Sequence, residues 1–467
     1  MAAPVVAAAA RGGATMSSDS NPCPTGVSAA ARRRVLAIAV GAGVLAAGAI
    51  LAVHADQEDG AVGPDVVVFS FTDIGNYGSS DGFVGYALGT RSCNRGDQPL
   101  NWCNDGGQSG CGMSTTDEDH PVIAQNLYRL KDDRFEQIGM SWLKHGFLST
   151  NSNTQGCSGA QGQSCTTPPL FSDQLGIGCT DPYGSSLNGS RPLGRRSEVD
   201  ATTGAFPYPP SSPGGPYEVY DQRIKVSTMD VDSTFNPDAL YFVEGQYIAP
   251  DDAAADNALN NASYRRVTIG GGPNYSLSMT GSFFEQQPAI YAWQAQDPEV
   301  DLVAVDIPGS SPVERFHVAR RVTDLGGGDW HYEYAIHNLN SDRSAISFTV
   351  DFPGAATIGN AGFHDVDHHS GEPYDTADWT VDLTTPGQVT WSGVEFATDP
   401  DANALRWATM FSFWFDATAG PSGVFHTLEL FKPGSPAAVE FYVTREIFND
   451  GFESGDTSAW SSTVGKN

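Results

Sequence analysis

Residues 315–352 read RFHVARRVTDLGGGDWHYEYAIHNLNSDRSAISFTVDF, and this stretch decides the fold class. Apolar and polar side chains alternate from Arg315 to Thr323 and again from Trp330 to Asn338, on either side of a glycine-rich LGGGD turn. A third run, Ser344 to Phe352, comes after the turn residues Asn340 to Asp342. Alternation with a period of two, broken by turn residues at strand-length intervals, predicts a three-stranded antiparallel meander.

The same pattern continues after this meander and predicts a β-sandwich. Further strands are predicted at residues 379–383, 388–392, 405–415 and 424–431. Two sheets that face each other bury such alternating faces between them. We therefore predict an all-β protein, with a disulfide-stabilised, loop-rich N-terminal region followed by an antiparallel β-sandwich over residues 217–446.

Aromatic side chains recur on two of these strands. Trp330, Tyr332 and Tyr334 share one strand face, and Trp407 with Phe411, Phe413 and Phe415 occupies another. Exposed rings of this kind stack on sugars, but alternation is more typical of a buried core. We predict that these rings belong to the core.

The charge balance narrows the class of partner. The chain of 467 residues carries 55 acidic and 25 basic residues, which gives a formal net charge of -30. Such a field repels phosphate backbones and anionic lipid headgroups, so nucleic acid is excluded as a partner. An extracellular glycan or another cell-surface component is the expected partner class.

The N-terminal segment has the pattern of an export signal. Three arginines, Arg32 to Arg34, precede an uncharged apolar run from Val35 to Val53. The run ends at Val53-His54-Ala55, a small-residue cleavage pattern. We predict that residues 1–55 are a cleaved signal peptide or, alternatively, an N-terminal anchor, which would be the membrane contact. The expected location is extracellular, periplasmic or at the cell surface.

The cysteines favour the same location. Six of the seven come after the apolar run, and an even number in an exported chain predicts disulfides. Six cysteines allow 15 pairings, and the sequence does not choose among them. They lie in a predicted cysteine-rich domain over residues 56–216, which ends in the proline-rich stretch 206–216; residues 447–467 form a C-terminal tail. The six cysteines are Cys93, Cys103, Cys111, Cys157, Cys165 and Cys179.

The densest polar cluster spans Gly362 to Glu372 and reads GFHDVDHHSGE. Imidazole and carboxylate groups together suit zinc, copper, iron or manganese. We predict a divalent metal site built from this segment with one distant histidine, placed between the two predicted domains. A solvated polar loop is the alternative. The candidate ligands are His364, His369, Asp365 and Asp367, with His145 as first distant choice and His120 as second.

Two further motifs are weaker. Acidic turns at Asp230 to Ser233 and in the tail at Asn449 to Asp456 offer oxygen ligands to calcium, without the twelve-residue loop signature. Ser80 stands in a Gly-x-Ser-x-Gly string, but a strand is predicted directly after Gly82, where a nucleophile elbow needs a helix. We interpret this string as a hairpin turn.

Three segments carry a resemblance to known proteins. Residues 134–147, 175–188 and 362–375 resemble a group of large exported bacterial proteins without an assigned activity, over most of residues 65–432. The resemblance implies export and a shared fold, and it transfers no catalytic residue. The tail string DGFESG, residues 450–455, is similar to a short segment appended to many secreted bacterial proteins, which implies sorting or surface retention.

The sequence leads to two functional hypotheses. The first is an exported surface or matrix protein that binds a metal ion, such as zinc, copper or calcium, or an extracellular glycan. The second is a secreted metal-dependent enzyme, a hydrolase or an oxidoreductase. In that case His364, His369 and His145 would hold the ion, while Asp365 or Asp367 orients a ligand or acts as base.

Overall fold

The strands begin and end close to the turn residues that separate them. This computed structural model describes residues 61–102, 118–168, 172–211, 214–369 and 371–443. The strands up to residue 284 are β1 Val66–Ser80, β2 Phe83–Asn94, β3 Leu100–Asn101, β4 Val122–Lys131, β5 Arg134–Met140, β6 Lys144–His145, β7 Gln174–Leu175, β8 Thr180–Tyr183, β9 Ile224–Ser227, β10 Leu240–Ile248, β11 Ala262–Ile269 and β12 Leu277–Phe284.

The later strands are β13 Asp301–Asp306, β14 Arg315–Gly326, β15 Asp329–Asn338, β16 Ala345–Asp351, β17 Ile358–His364, β18 Thr380–Asp382, β19 Gln388–Ser392, β20 Thr409–Ala417, β21 Phe425–Leu430 and β22 Ala438–Phe441. The α-helices are short: α1 Ser185–Asn188, α2 Thr228–Val231, α3 Pro250–Ala254 and α4 Tyr291–Gln296. Single 3₁₀ turns cover Ala160–Gly162, Arg196–Glu198 and Ala258–Asn260. The predicted all-β class is confirmed.

Within the described residues, ten strands form one antiparallel sheet, which we call the large sheet. Its order is β1-β2-β9-β5-β4-β10-β11-β12, with β6 beside β4 and β8 beside β2. Strands β9 to β12 come after residue 216, yet β9 pairs with both β2 and β5. The boundary predicted at residue 216 therefore falls inside this sheet, and the chain passes to the next sheets only after Phe284.

The large sheet curls until its two edge strands meet. The side chain of Asn76 on β1 accepts a hydrogen bond from the Leu277 amide of β12 at 2.7 Å and donates one to the Leu277 carbonyl at 3.3 Å. Beside this contact the rings of Phe71 and Phe283 meet edge to face, with centroids 5.1 Å apart. The curled sheet encloses a core that includes Val84, Leu127 and Val243.

The predicted β-sandwich is confirmed, over a shorter range than expected. The described residues from Asp301 on form two five-stranded sheets, the β14 sheet in the order β13-β14-β15-β20-β17 and the β16 sheet in the order β18-β19-β16-β21-β22. Strands β14 and β15 are the predicted hairpin. Strand β16 does not complete a meander beside them, because it crosses to the facing sheet and pairs with β19 and β21.

The predicted aromatic core fills the sandwich. Tyr332, Tyr334, Phe411, Phe413 and Phe415 are all buried between the two sheets. His426 of β21 lies among them: its Nε2 is 3.0 Å from the Tyr334 hydroxyl and its Nδ1 is 3.3 Å from the Phe441 carbonyl. A carbonyl only accepts, so Nδ1 carries a proton, and in the neutral ring Nε2 accepts from the Tyr334 hydroxyl. Burial lowers the pKa of His426 from 6.5 to about 3.

This lowered pKa predicts a pH-dependent effect of replacing His426. Below pH 6.5 the unfolded chain binds a proton at this position that the folded chain does not, so the histidine's contribution to stability falls as the pH falls. At about pH 5 the loss amounts to about 2 kcal/mol relative to neutral pH. We expect His426→Gln to be less destabilising at pH 5 than at pH 7.5 by that amount. Urea unfolding of parent and variant at both pH values measures this difference; an equal effect at both would contradict it.

The sandwich and the large sheet share a packed interface. Tyr128, Phe135 and Trp293 stack on one another and contact Met410 and Ala335 of the β14 sheet. Apolar contact of this kind excludes water and fixes the two parts against each other.

A buried polar network crosses the same interface at Arg196. Its guanidinium donates to four oxygens, at distances of 2.6–3.1 Å. Asn126 also donates to the buried carboxylate of Glu244 at 2.8 Å, so it joins the cation to the anion. The four acceptors of Arg196 are the carbonyls of Ser141, Ala408 and Gln125 and the side-chain oxygen of Asn126.

Disulfides fasten the loops beside the large sheet. Cys93 on β2 is bonded to Cys157, and Cys165 is bonded to Cys179. Four of the six predicted disulfide cysteines are therefore confirmed, and Cys103 and Cys111 lie outside the described residues. The predicted signal or anchor at residues 1–55 and the tail also lie outside them. Within the described ranges, no helix has the length and apolar character needed to cross a membrane.

Candidate functional site

The polar segment singled out in the sequence borders a small cleft. His364 ends β17, and residues 365–367 then pass over the outer face of the large sheet. The cleft has a volume of about 220 Å³, below the usual range for organic ligands. Its lining residues are Phe83, Gln137, Ile138, Lys225, Ser227, Asp230, His364, Asp365, Val366 and Asp367.

Charges of both signs meet in this cleft. Asp230 pairs with Arg129 at 2.9 Å, and the Lys225 ammonium lies 4.2 Å from the centre of the Phe83 ring. Burial raises the pKa of Asp365, whose carboxylate accepts a hydrogen bond from Asn403. Most of these charges already have protein partners, which is typical of a structural arrangement. The Nε2 atom of His364 is also buried and has no hydrogen-bond partner among the described residues.

His369 holds the segment against the large sheet, and His368 is buried beside it. The Nε2 atom of His369 lies 2.7 Å from the Met140 carbonyl and 2.5 Å from the Arg223 carbonyl. His368 packs against the ring of Tyr374. Burial lowers the pKa of His368 to about 3 and that of His369 to about 4, so both rings are neutral at physiological pH.

His120 and His145 form a separate pair. Their nearest nitrogens, Nε2 of His120 and Nδ1 of His145, are 2.8 Å apart, and the rings of Phe206 and Tyr208 pack around both. Burial, helped by the charge of Lys144, lowers the pKa of His145 to about 3. The pair is one hydrogen bond between two buried imidazoles inside an aromatic enclosure.

The structure thus divides the predicted metal ligands among three places: the cleft with His364, Asp365 and Asp367; the carbonyl contacts of His369; and the pair of His120 and His145. In the part of the chain that the structure describes, no group of three or more histidine, cysteine, aspartate or glutamate side chains is placed to hold a metal ion. A metal centre at these residues stays a prediction.

The string around Ser80 is a hairpin turn, as predicted. Asp81 and Gly82, both with positive φ, connect β1 directly to β2. The Ser80 hydroxyl lies 3.1 Å from a carboxylate oxygen of Asp81 and 3.2 Å from one of Glu218, and its single proton is donated to one of them at a time.

A larger groove lies on the outer face of the β16 sheet. Its volume is about 490 Å³, within the usual range for ligand sites. Side chains of β19, β16 and β21 form its floor in rows set by the strand register. The lining residues are Ile346, Ser347, Thr349, Asp351, Gln388, Thr390, Ser392, Gly393, Glu395, Thr427 and Glu429.

Two rows of this sheet face carry its chemistry, and one of them continues beyond the lining residues to Phe425 and Tyr442 at the side of the groove. In one, Asp351 lies between Gln388 and Phe425, and it accepts a hydrogen bond of 2.7 Å from the Gln388 amide. Phe425 contacts the ring of Tyr442, which is 46% exposed. In the next row the hydroxyls of Thr349 and Thr390 are 2.9 Å apart. The face therefore offers an aromatic platform beside carboxylate, amide and hydroxyl groups.

This groove was not predicted from the sequence, because the large aromatic residues dominate the pattern and they fill the core. The signal was on the opposite faces of the same strands. Ser347, Thr349 and Asp351 alternate with the core residues of β16, and Gln388, Thr390 and Ser392 do the same on β19. Strands whose outward faces carry only short polar side chains leave room for a ligand above them.

Fold and disulfides together define the class of this protein. It is a disulfide-bonded, antiparallel all-β protein, and such bonds persist in oxidising compartments. These features are compatible with an extracellular surface protein.

Comparison with known proteins adds little to this class. No family model and no curated protein matches the chain. Among solved structures, the chain is similar to the crystal structure of the N-terminal domain of the Streptococcus gordonii adhesin Sgo0707, with a TM-score of 0.17 and 9% sequence identity. The match covers 77% of this chain and 62% of that one, so the chain spans less than two thirds of the adhesin domain. The resemblance to exported bacterial proteins stays a prediction.

Proposed function

We propose that this is an extracellular surface protein that binds an uncharged oligosaccharide in the groove of the β16 sheet. The observation that carries the proposal is the row of Gln388, Asp351, Phe425 and Tyr442. A sugar ring has an apolar face of C–H groups and a rim of hydroxyls. The exposed ring of Tyr442 offers a flat apolar surface to the first, and the carboxylate and amide offer hydrogen bonds to the second.

The composition of the groove supports an uncharged ligand. Asp351, Glu395 and Glu429 line it, and none of the described lining residues is basic. An ordinary solvated face mixes charges of both signs and is covered by long side chains. Three carboxylates without a cation repel sulfated, sialylated and uronic-acid sugars. The ligand class that remains is an oligosaccharide of neutral hexose or pentose units.

Binding of the full chain to a glycan array tests this proposal. We expect neutral oligosaccharides to bind, and we expect Tyr442→Ala to weaken binding at least about tenfold, because it removes the stacking surface. Asp351→Ala is expected to weaken binding to a similar extent, since it removes the acceptor at the centre of the row. Affinities of the parent and both variants are measured by calorimetry with the best array ligand.

Phe235→Ala is the matched control, because Phe235 is an aromatic residue that is 57% exposed and lies outside the groove. Its affinity should equal that of the parent. A parent that binds no neutral glycan, or groove variants that bind as tightly as the control, would overturn the proposal. Preferential binding of anionic glycans would overturn the assignment to uncharged sugars.

A further inference from the structure

Two aspartates lie side by side in the interior, away from the groove and the cleft. Asp65 directly precedes β1, and Asp252 is in α3. Their side chains belong to residues that are only 3% and 0% exposed. The backbone amide of Val66 donates to the Asp252 carboxylate at 2.9 Å, which brings α3 against the beginning of β1. Two neighbouring buried carboxylates are costly unless something positive compensates them.

Two buried asparagines complete this cluster. Asn260 donates to the second oxygen of Asp65 at 3.3 Å, and Asn261 donates to Asp252 at 2.7 Å. Three oxygens are buried and have no hydrogen-bond partner within the described residues: Oδ1 of Asp65, of Asn260 and of Asn261. The two polar atoms of an amide or a carboxylate share one carbon atom. The three oxygens without donors therefore lie in the same cluster as the carboxylates.

The basic side chain beside the cluster is already paired. The backbone amide of Arg95 donates to the Asp65 carbonyl at 2.7 Å, so this arginine is a neighbour in the fold. Its guanidinium, however, donates twice to Glu285, at 2.8 and 2.5 Å. The two aspartates thus lack a dedicated cation, while three oxygens lack donors. An ion that accepts several oxygen ligands would satisfy both deficits.

We propose that Asp65, Asp252, Asn260 and Asn261 bind one calcium ion. Ca²⁺ takes six to eight oxygen ligands from carboxylates, side-chain amides, carbonyls and water, in flexible geometry. The two carboxylates neutralise its charge, and rotation of either asparagine amide turns its oxygen towards the ion. Bound there, the ion fastens the beginning of β1 to α3 and to the turn before β11.

Thermal unfolding of the full chain tests the calcium site. After removal of metals with a chelator, addition of CaCl₂ is expected to raise Tm by about 3 °C or more at saturation. The double variant Asp65→Asn/Asp252→Asn should lose this shift, since both negative ligands are gone. Asp232→Asn, in the half-buried acidic turn that the sequence suggested for calcium, is the matched control and should keep it.

A second variant covers the case in which the double variant does not fold. Asn260→Asp adds a third carboxylate, so it should lower Tm in chelator and enlarge the rise in Tm that calcium produces. An unchanged Tm of the parent on adding calcium overturns the proposal. A shift that persists in the double variant, or one that disappears in Asp232→Asn, also overturns it, because the ion would then bind elsewhere.

Discussion

Replacing Arg196 with methionine is expected to lower the free energy of unfolding by about 3–5 kcal/mol. The guanidinium is buried, and its removal takes one donor each from the carbonyls of Ser141, Gln125 and Ala408. It also removes the positive charge that compensates Glu244 across Asn126. Because Ala408 belongs to the sandwich and Gln125 to the large sheet, the effect falls on the contact between them. Urea unfolding followed by tryptophan fluorescence measures the change.

Arg266→Met is the matched control for this prediction. Arg266 lies on β11 and is half-buried, so the same substitution removes a charge without opening the interface. The control should change the free energy of unfolding by less than about 1 kcal/mol. An Arg196 variant as stable as the Arg266 variant would show that the buried network contributes no net stability.

The second large effect is expected from the disulfide between Cys93 and Cys157. These residues are 64 positions apart, so the bond restricts a long loop in the unfolded chain. Replacing both with serine is expected to cost about 4 kcal/mol. Cys165 and Cys179 are separated by 14 positions, and their replacement should cost about 3 kcal/mol. Free energies from denaturant unfolding of the two double variants give the comparison.

The order of the two effects tests the physical reason as well as the magnitude. Chain entropy requires the longer loop to matter more. A larger loss from removing the shorter disulfide would mean that native contacts around Cys165 and Cys179, and not loop length, decide the result. Both double variants leave the other disulfide in place, so each serves as the control for the other.

Local parts of the fold could be predicted from the sequence because turns leave local signals. The hairpin of β4 and β5 is set by the short polar turn between two runs of apolar residues. The hairpin of β14 and β15 is set by its glycine-rich turn. The sequence carries no such signal for the sheet that β16 joins. Alternation says that one face is buried, but it does not say against which sheet.

Pairing between strands that are distant in the sequence could not be predicted, for the same reason. Strand β9 fits between β2 and β5 through contacts that form only when the whole large sheet assembles. The proline-rich stretch before it looked like a linker, although it is a loop between strands of one sheet. A proline-rich composition indicates an irregular segment. It does not reveal whether the strands on either side of that segment belong to the same sheet.

The candidate site illustrates a different limit. Histidine is a metal ligand, a hydrogen-bond partner or a packing group, depending on neighbours that the sequence does not name. In the structure, the ring of His369 contacts two backbone carbonyls, that of His368 an aromatic ring, and that of His145 another histidine. The groove was visible only as an absence of bulk on the outward faces of β16 and β19. Short polar side chains on a strand do not indicate a groove until their neighbours across the sheet are known.

The closure between β1 and β12 also bears on how the protein behaves at high concentration. An open strand edge offers backbone amides and carbonyls to any other chain, and such pairing begins aggregation. At Leu277 both backbone groups are occupied by the side chain of Asn76. A foreign strand must displace that asparagine before it can add to the edge. The side-chain amide of Asn76, which joins the two edge strands of the large sheet, therefore also opposes self-association of the protein.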